Sequence, residues 1–336
     1  MKKLIQLLLC TWMLVFLISA VSATDLTLYV RPNGDNQASG MAEDEAVGSL
    51  QVAVKKALSQ TAQGLSKRKI VVFPGRYLEQ TTIVRDLPDD KPLVISGVIR
   101  SGSRPIFDGN GKGRSWLVLK SASGKPSRLT IENVEVVNYV TAISLNGQRT
   151  SMNASNSENI IQNNIFRNIG QISFPEGKPS TAAVRLVNSR DNRIIQNQFI
   201  NIRNNVGCGA LHSIYLAHYS SDNLIEGNTF DGGCGATVKS RDASGSNIIR
   251  GNMFSDQSEP VFLDSFCNKD TRQDCTKATS ECPSWGNEFK DNSMSRLGTK
   301  ARRTPVRVSG ADHPSGCPQP PTPGVRVMES NNQVNR

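Results

Sequence analysis

The sequence predicts an all-β solenoid of stacked coils, and three observations carry that expectation. One phrase recurs as LTIENVEVVN, NIIQNNIFRN, NRIIQNQFIN, NLIEGNTFDG and NIIRGNMFSD, each a pair of short apolar alternations around an asparagine. The shared Asn-x-Phe step at Asn197, Asn228 and Asn252 returns at intervals of 31 and 24 residues, a period typical of stacked supersecondary units and, at its shorter value, too brief for a helical repeat. The phrases are rich in Ile, Val, Phe, Asn and Gly and alternate with period two. Each coil therefore reads as short strands joined by turns, and stacking must bury their apolar faces.

The elements follow in chain order. Residues 1–23, MKKLIQLLLCTWMLVFLISAVSA, join two lysines, an apolar stretch and a small-residue ending with Val21 and Ala23, the pattern of a secretory signal peptide cleaved near Ala23. A retained anchor is the competing reading, because the apolar stretch approaches the length of a membrane span. LTLYVRPNGDNQASG is then a strand and a turn, and VGSLQVAVKKALSQTA places Leu50, Val54, Ala57 and Leu58 at helical spacing. A helix is expected over about 48–62. The first coil of a solenoid would expose core and strand edges, so this helix is the expected cap. KIVVFPGRYLEQTTIV and PLVISGVIRSGSRPIFDGNG continue as strands and turns, giving one β domain over 24–300. The segment 301–336, with its HPSGCPQPPTPG stretch, reads as a tail that lacks the means to build a core.

Without the leader the chain keeps Cys208, Cys234, Cys267, Cys275, Cys282 and Cys317. An even set in an exported chain reads as disulfides, whose connectivity the spacing does not choose. The cluster SFCNKDTRQDCTKATSECPSW has no C-x-x-C pair and no intervening histidine, which argues against zinc. The formal charge of +10 includes Lys2 and Lys3 of the leader, so the mature chain stays basic and favours acidic partners. Nucleic acid is not expected: export removes the usual targets, and neither a basic helix nor an aromatic stacking platform is visible. The expectation is a secreted or periplasmic monomer, free of the membrane after cleavage, whose partner is an acidic polysaccharide.

The YVRPNG opening, the LQVAVKKAL helix, VVFPGRY and the Asn-punctuated coils together resemble the right-handed parallel β-helix superfamily of pectate-lyase-like proteins, over nearly the whole mature chain. The resemblance implies the hand of the coil and a three-sheet cross-section. Within that superfamily the pattern is similar to the polysaccharide lyase group of alginate lyases and chondroitinase B. Asparagines at one turn of successive coils are expected to form a ladder, with amides bonding to neighbours about 4.8 Å above and below. Asn164, Asn197, Asn228 and Asn252 are read as such rungs and not as ligand groups.

Chemistry is expected on another face. AAVRLVNS, HSIYLAHYS and ATVKSRDAS, aligned on Val184, Ile214 and Val238, put Arg185, Tyr215 and Lys239 in one outward column and Val187, Ala217 and Arg241 in the next. One coil later, PVFLDSF is expected to set Phe262 and Asp264 in the same two columns, so that Asp264 borders Arg241. Lys239, Arg241, Tyr215 and His212 are the catalytic candidates, with Arg185 and His218 as substrate-binding candidates.

Such a patch suits β-elimination of a uronic-acid polymer, which needs a cation at the sugar carboxylate, a base for the α-proton and an acid for the leaving oxygen. Lys239 is the candidate base, which requires its pKa to fall from about 10.4 to about 7–8. Flanking Arg185 and Arg241 push that way. The resemblance to alginate lyases implies a Lys and an Arg as base and acid, with calcium at the carboxylate. Here Lys239 and Arg241 share one strand, whereas that group sets its pair on neighbouring coils. Asp242, Asp264 and Glu259 are the candidate oxygen ligands for Ca2+, without a tight acidic cluster.

Each candidate has a plainer reading. Outward charges are usually solvated, and an Arg241–Asp264 pair would be worth about 0–1 kcal/mol at the surface. His212 and His218 flank the Tyr215 strand and can serve near neutral pH, yet His212 shares the parity of inward Ile214, which fits a core role. Tyr215 fits either proton donation or stacking on a sugar ring. A polygalacturonase-like hydrolase would need clustered aspartates and a histidine motif, and a pectin-methylesterase-like site facing aspartates with an arginine. The coil faces show neither arrangement. The reading is a secreted lyase or related C5-epimerase acting on a uronic-acid polysaccharide; a non-catalytic β-helix that binds anionic glycan or cell envelope is the alternative.

Overall fold

The structure is a computed structural model that describes residues 24–60, 64–112, 114–171, 179–270, 273, 275–276, 280–311 and 314–335. The expected signal peptide, 1–23, lies outside the described residues. From Thr24 the chain winds as a right-handed parallel β-helix through three sheets of ten, nine and eight strands. Within each sheet, neighbours come from successive coils and pair in parallel, as at Ile160–Gln162 on Arg193–Ile195, Ile165–Arg167 on Gln198–Ile202 and Ala182–Val187 on His212–Ala217. A parallel pair needs a crossover, which takes the right-handed form. Here the crossover is the remainder of the coil.

Inside the tube, like residues stack on like. Phe166, Phe199, Phe230 and Phe254 occupy one register position of the second sheet. Their ring centroids lie 5.0, 4.9 and 4.8 Å apart, close to the strand spacing of about 4.8 Å. The rings are buried to 1% exposure or less, and each contributes its full apolar area to one continuous core.

The recurring asparagines form the expected ladder at the corner between the first and second sheets. Asn164 donates to Asn197 Oδ1 at 3.1 Å, Asn197 to Asn228 at 3.0 Å, Asn228 to Asn252 at 3.0 Å and Asn252 to Asn292 at 3.1 Å. Each acceptor oxygen also takes the backbone N–H of the rung before it, as at Asn164 and Asn197. A second ladder runs through Asn159, Asn192, Asn223, Asn247 and Asn287 at 2.7–3.0 Å. The residue before each rung of the first ladder is left-handed: Asn163, Gln196, Gly227, Gly251 and Asp291 all have φ between 52° and 65°. That backbone state is open mainly to Gly, Asn and Asp.

The N-terminal coil is covered by α1 (Leu50–Ser59), which buries Leu50, Ala53, Val54 and Ala57. Residues 61–62 of the expected range 48–62 lie outside the described residues, Gly48 and Ser49 precede the helix, and Gln60 is its C-cap. Its first free N–H, at Leu50, donates to Gln80 Oε1 at 3.0 Å. At its other end the fully buried Arg68 donates to the carbonyls of Ala57 and Gln60 at 2.8 and 3.0 Å and pairs with Asp89. A guanidinium at a helix C-terminus meets both the orphan carbonyls and the negative end of the dipole.

The segment 301–336, expected as a tail, supplies the last coil. Val306–Val308, Val327–Ser330 and Gln333–Val334 add one strand to the third, first and second sheets respectively. Backbone groups on the preceding strands would otherwise lack partners, and satisfying them outweighs the poor composition between. Residues 314–324 of the Pro/Gly-rich stretch lie in the connecting loop between Val306–Val308 and Val327–Ser330. Disulfides link Cys208–Cys234, Cys267–Cys275 and Cys282–Cys317, the last holding that loop to the body. No helix among the described residues is long and apolar enough to cross a membrane.

Candidate functional site

The third sheet builds the face on which the sequence placed chemistry. Its pairing sets Ser144, Arg185, Tyr215, Lys239 and Leu263 in one outward column, and Asn146, Val187, Ala217 and Arg241 in the next. Arg185, Tyr215, Lys239 and Arg241 are therefore neighbours, as the register implied. Phe262 and Asp264 are not. Phe262 pairs with Val238 and Asp264 with Ser240, so both point inward and both are fully buried. The expected spacing was one residue short, and in a strand one residue moves every side chain to the opposite face. Asp264 accepts from Arg326 Nε at 2.8 Å instead of meeting Arg241. It locks the last coil to the sheet.

Tyr215 is the hub of the face. Its hydroxyl accepts from Arg241 Nη1 at 3.3 Å, Lys239 Nζ sits 5.8 Å from its ring centroid, and the His212 ring lies 5.4 Å away. Burial raises the phenol above its usual pKa, with Arg241 working against that, so the hydroxyl keeps its proton at neutral pH. Arg185 donates from Nε to Ser144 Oγ at 3.0 Å, and burial lowers its pKa.

Arg241 is held by the segment that carries Glu281. Burial would weaken its charge, but the Glu281 carboxylate, at 2.6 Å from its Nε, outweighs that and leaves the pKa raised. Glu281 is itself buried. Its Oε2 also accepts the Cys267 N–H at 2.8 Å, while Oε1 faces Arg149 at 3.6 Å without a hydrogen bond. Cys282–Cys317 and Cys267–Cys275 fasten the segment on either side. Neither Glu281 nor Arg149 was among the residues expected at the site. The one available signal was an acidic residue beside a cysteine in a loop.

The two histidines differ from each other. His212 is buried, and its Nδ1 lies 2.6 Å from the Ala236 carbonyl. A carbonyl only accepts, so Nδ1 carries the proton. Burial, helped by nearby Lys239, pushes its pKa down to about 3. His212 is neutral at physiological pH, as suits the core reading, and cannot serve there as a proton donor from an imidazolium. His218 sits at the rim in a left-handed conformation, its Nδ1 2.6 Å from Asp242 Oδ2. Asp242 in turn accepts the Cys282 N–H at 3.1 Å. The turn and the loop wall are thus tied together.

The calcium ligands suggested by the sequence do not converge on one another: Asp242 holds His218, Asp264 holds Arg326, and Glu259 holds Lys300. Among the described residues, His218, Asp242 and Glu281 are the group able to offer donor atoms within 4.8 Å of one another. Two carboxylates and an imidazole fall short of the six to eight oxygens calcium prefers. Arg241 and Arg149 already face Glu281. The set fits a guanidinium better than a metal ion.

The sequence matches no family model and no curated protein sequence. Among solved structures, a mutant tailspike protein of E. coli bacteriophage HK620 in complex with a pentasaccharide is similar at TM-score 0.52 and 12% identity, over 81% of this chain and 46% of its own. A second mutant of that tailspike gives 0.52 and 12% over 87% and 56%. The catalytic domain of a mutant GH87 α-1,3-glucanase in complex with nigerose gives 0.49 and 11% over 86% and 44%. The chain spans about half the length of these solved chains, and at such identity the tailspike likeness shows the fold alone: a right-handed parallel β-helix.

Proposed function

We propose that this chain is an exported protein that acts on an acidic, uronic-acid polysaccharide and cleaves it by β-elimination. The observation that carries the reading is the cation-rich outward face: Arg185, Tyr215 and Lys239 stand on successive rungs, Arg241 contacts Tyr215, and the carboxylates beside it are engaged, Glu281 by Arg241 and Asp242 by His218. Excess cationic charge suits an anionic substrate, and two carboxylates already committed to Arg241 and His218 argue against a hydrolase that needs two free ones. The pentasaccharide of the tailspike complexes supports a glycan as the ligand class, and three disulfides support an oxidising compartment.

In the proposed reaction Arg185 and Arg241 neutralise the sugar carboxylate, which acidifies the α-proton at C5. Lys239, in its neutral form, takes that proton. The C4–O4 bond breaks as the C4–C5 double bond forms, the electron pair leaves with O4, and Tyr215 donates its phenolic proton to that oxygen. The protonated state of a buried phenol is the form that this role needs. A C5-epimerase would share the first step and return a proton to the opposite face.

Alginate, pectate, glucuronan and chondroitin sulfate, each with and without calcium, would reveal the unsaturated product by its ultraviolet absorbance. Product from one of them, lost in Lys239→Ala, is the expected result. Exchange of the C5 proton without product would mean epimerisation, and binding without either would mean a non-catalytic glycan binder.

A further inference from the structure

We propose that the anion-binding face extends beyond Lys239 into a second subsite, formed by Arg303 and Arg307, that takes a further acidic unit of the same polysaccharide chain. The inference rests on the reading of the Arg185–Lys239 column as an acidic-glycan site. Its geometry comes from the last coil. Arg307 pairs with Leu263, and Leu263 with Lys239, so Arg307 is the next cation of the outward column, two strand spacings or about 10 Å from Lys239 along the solenoid axis. Between them Leu263 is half-buried and offers carbon to the face of a sugar ring.

Beside Arg307 a short helix, α2 (Thr299–Arg303), forms the wall of a cavity of about 400 Å³ lined by Pro260, Thr299, Lys300, Arg303, Thr304 and Arg307. The charge in it is unbalanced. Glu259 takes Lys300 at 2.7 Å, whereas Arg303 and Arg307 are exposed and have no acidic or hydrogen-bonding side-chain partner among the described residues. Two free guanidinium forks beside a groove with a proline wall suit a carboxylated sugar, because each fork can take a carboxylate through two parallel bonds. The groove adjoins the end of the outward column, so a single extended chain lying along that column would meet Arg185, Lys239 and Arg307 in order.

The test uses di- and hexasaccharides of alginate and of polygalacturonate, titrated calorimetrically against the full chain. The wild type should bind a hexasaccharide at least tenfold more tightly than the disaccharide. Arg303→Ala/Arg307→Ala should erase that preference, about tenfold or more, while leaving disaccharide affinity unchanged; Arg307→Glu should weaken the hexasaccharide further. Lys239→Ala should weaken both lengths. A double variant that binds the hexasaccharide like the wild type overturns the second subsite and leaves the Lys239 site standing. A wild type that binds no oligouronide overturns both.

Discussion

Two columns of this solenoid are built on the same coils and look nothing alike. At the corner between the first and second sheets the chain sets Asn164, Asn197, Asn228, Asn252 and Asn292 on top of one another, buried and bonded in series. Across the tube, the outward column of the third sheet reads Ser144, Arg185, Tyr215, Lys239, Leu263 and Arg307. Identity along a column means that each rung is the ligand of the next, so stacking alone explains it. Variety along a column of charged and aromatic groups is not required by stacking: rungs still touch, as Arg185 on Ser144 and Lys239 over Tyr215, but the choice of residues changes at every step, which is what the proposed glycan partner would use.

The largest expected effect separates the two columns directly. Lys239→Ala should lower turnover of the cleaved polymer by about 10²–10⁴-fold, the usual worth of a positioned proton-transfer group, while the melting temperature barely moves. Tyr215→Phe should do the same through loss of the proton donor. A large stability loss in either would make the face structural and remove the contrast.

His212 offers a test at the boundary between the core and the outward face. Burial lowers its folded pKa from the usual 6.5 to about 3, so between those values the unfolded chain binds a proton that the folded chain refuses. Stability should therefore be complete above about pH 6.5 and fall as the pH drops toward 3, with a slope of up to about 1.4 kcal/mol per pH unit from this group. His212→Gln should flatten that part of a pH–stability profile measured by denaturant unfolding. An unchanged profile would mean that the imidazole is not buried as described.

Asn228→Ala strikes the repeated column. It removes donors to Ile194 O at 2.8 Å and Asn252 Oδ1, and the acceptor for the Asn197 N–H. Buried groups left without partners cost about 1–3 kcal/mol each, so a loss of about 2–4 kcal/mol in urea unfolding is expected, with ligand affinity on the third sheet unaffected. Loss of affinity at unchanged stability would reverse the two columns' roles.

The difference between the columns also decided what the sequence could reveal. The ladder was legible because each coil states it again, and that repetition set the register which brought Arg185, Tyr215, Lys239 and Arg241 together. One coil later the repeat no longer fixes the register. The step from Lys239 to its neighbour is Leu263, and a spacing misjudged by one residue turned buried Phe262 and Asp264 outward. Glu281 and Arg149 were hidden for a different reason. They come from loops without periodicity, and only disulfide pairing and the fold bring Glu281 to Arg241. The last coil was hidden by composition, since Val306–Val308 is held in place by the strand edge it completes and by buried Arg326 on Asp264.

The smallest expected effect tests whether the repeated corner tolerates change where the ladder does not reach. Gly227 precedes Asn228 with φ of 65°, and a Cβ there would meet only Gln196 Cγ at 3.6 Å, an ordinary contact. Space is therefore not the constraint; backbone conformation is. Asn163 holds the equivalent turn at φ 52°, so Gly227→Asn should change stability by less than about 0.5 kcal/mol, because asparagine enters the left-handed region readily. Gly227→Val should cost about 1–2 kcal/mol at the same position, since a β-branched side chain resists that conformation. Equal costs for the two variants, measured by urea unfolding, would show that the turn is limited by packing and not by φ. The corner would then be a poorer guide to register than the ladder beside it.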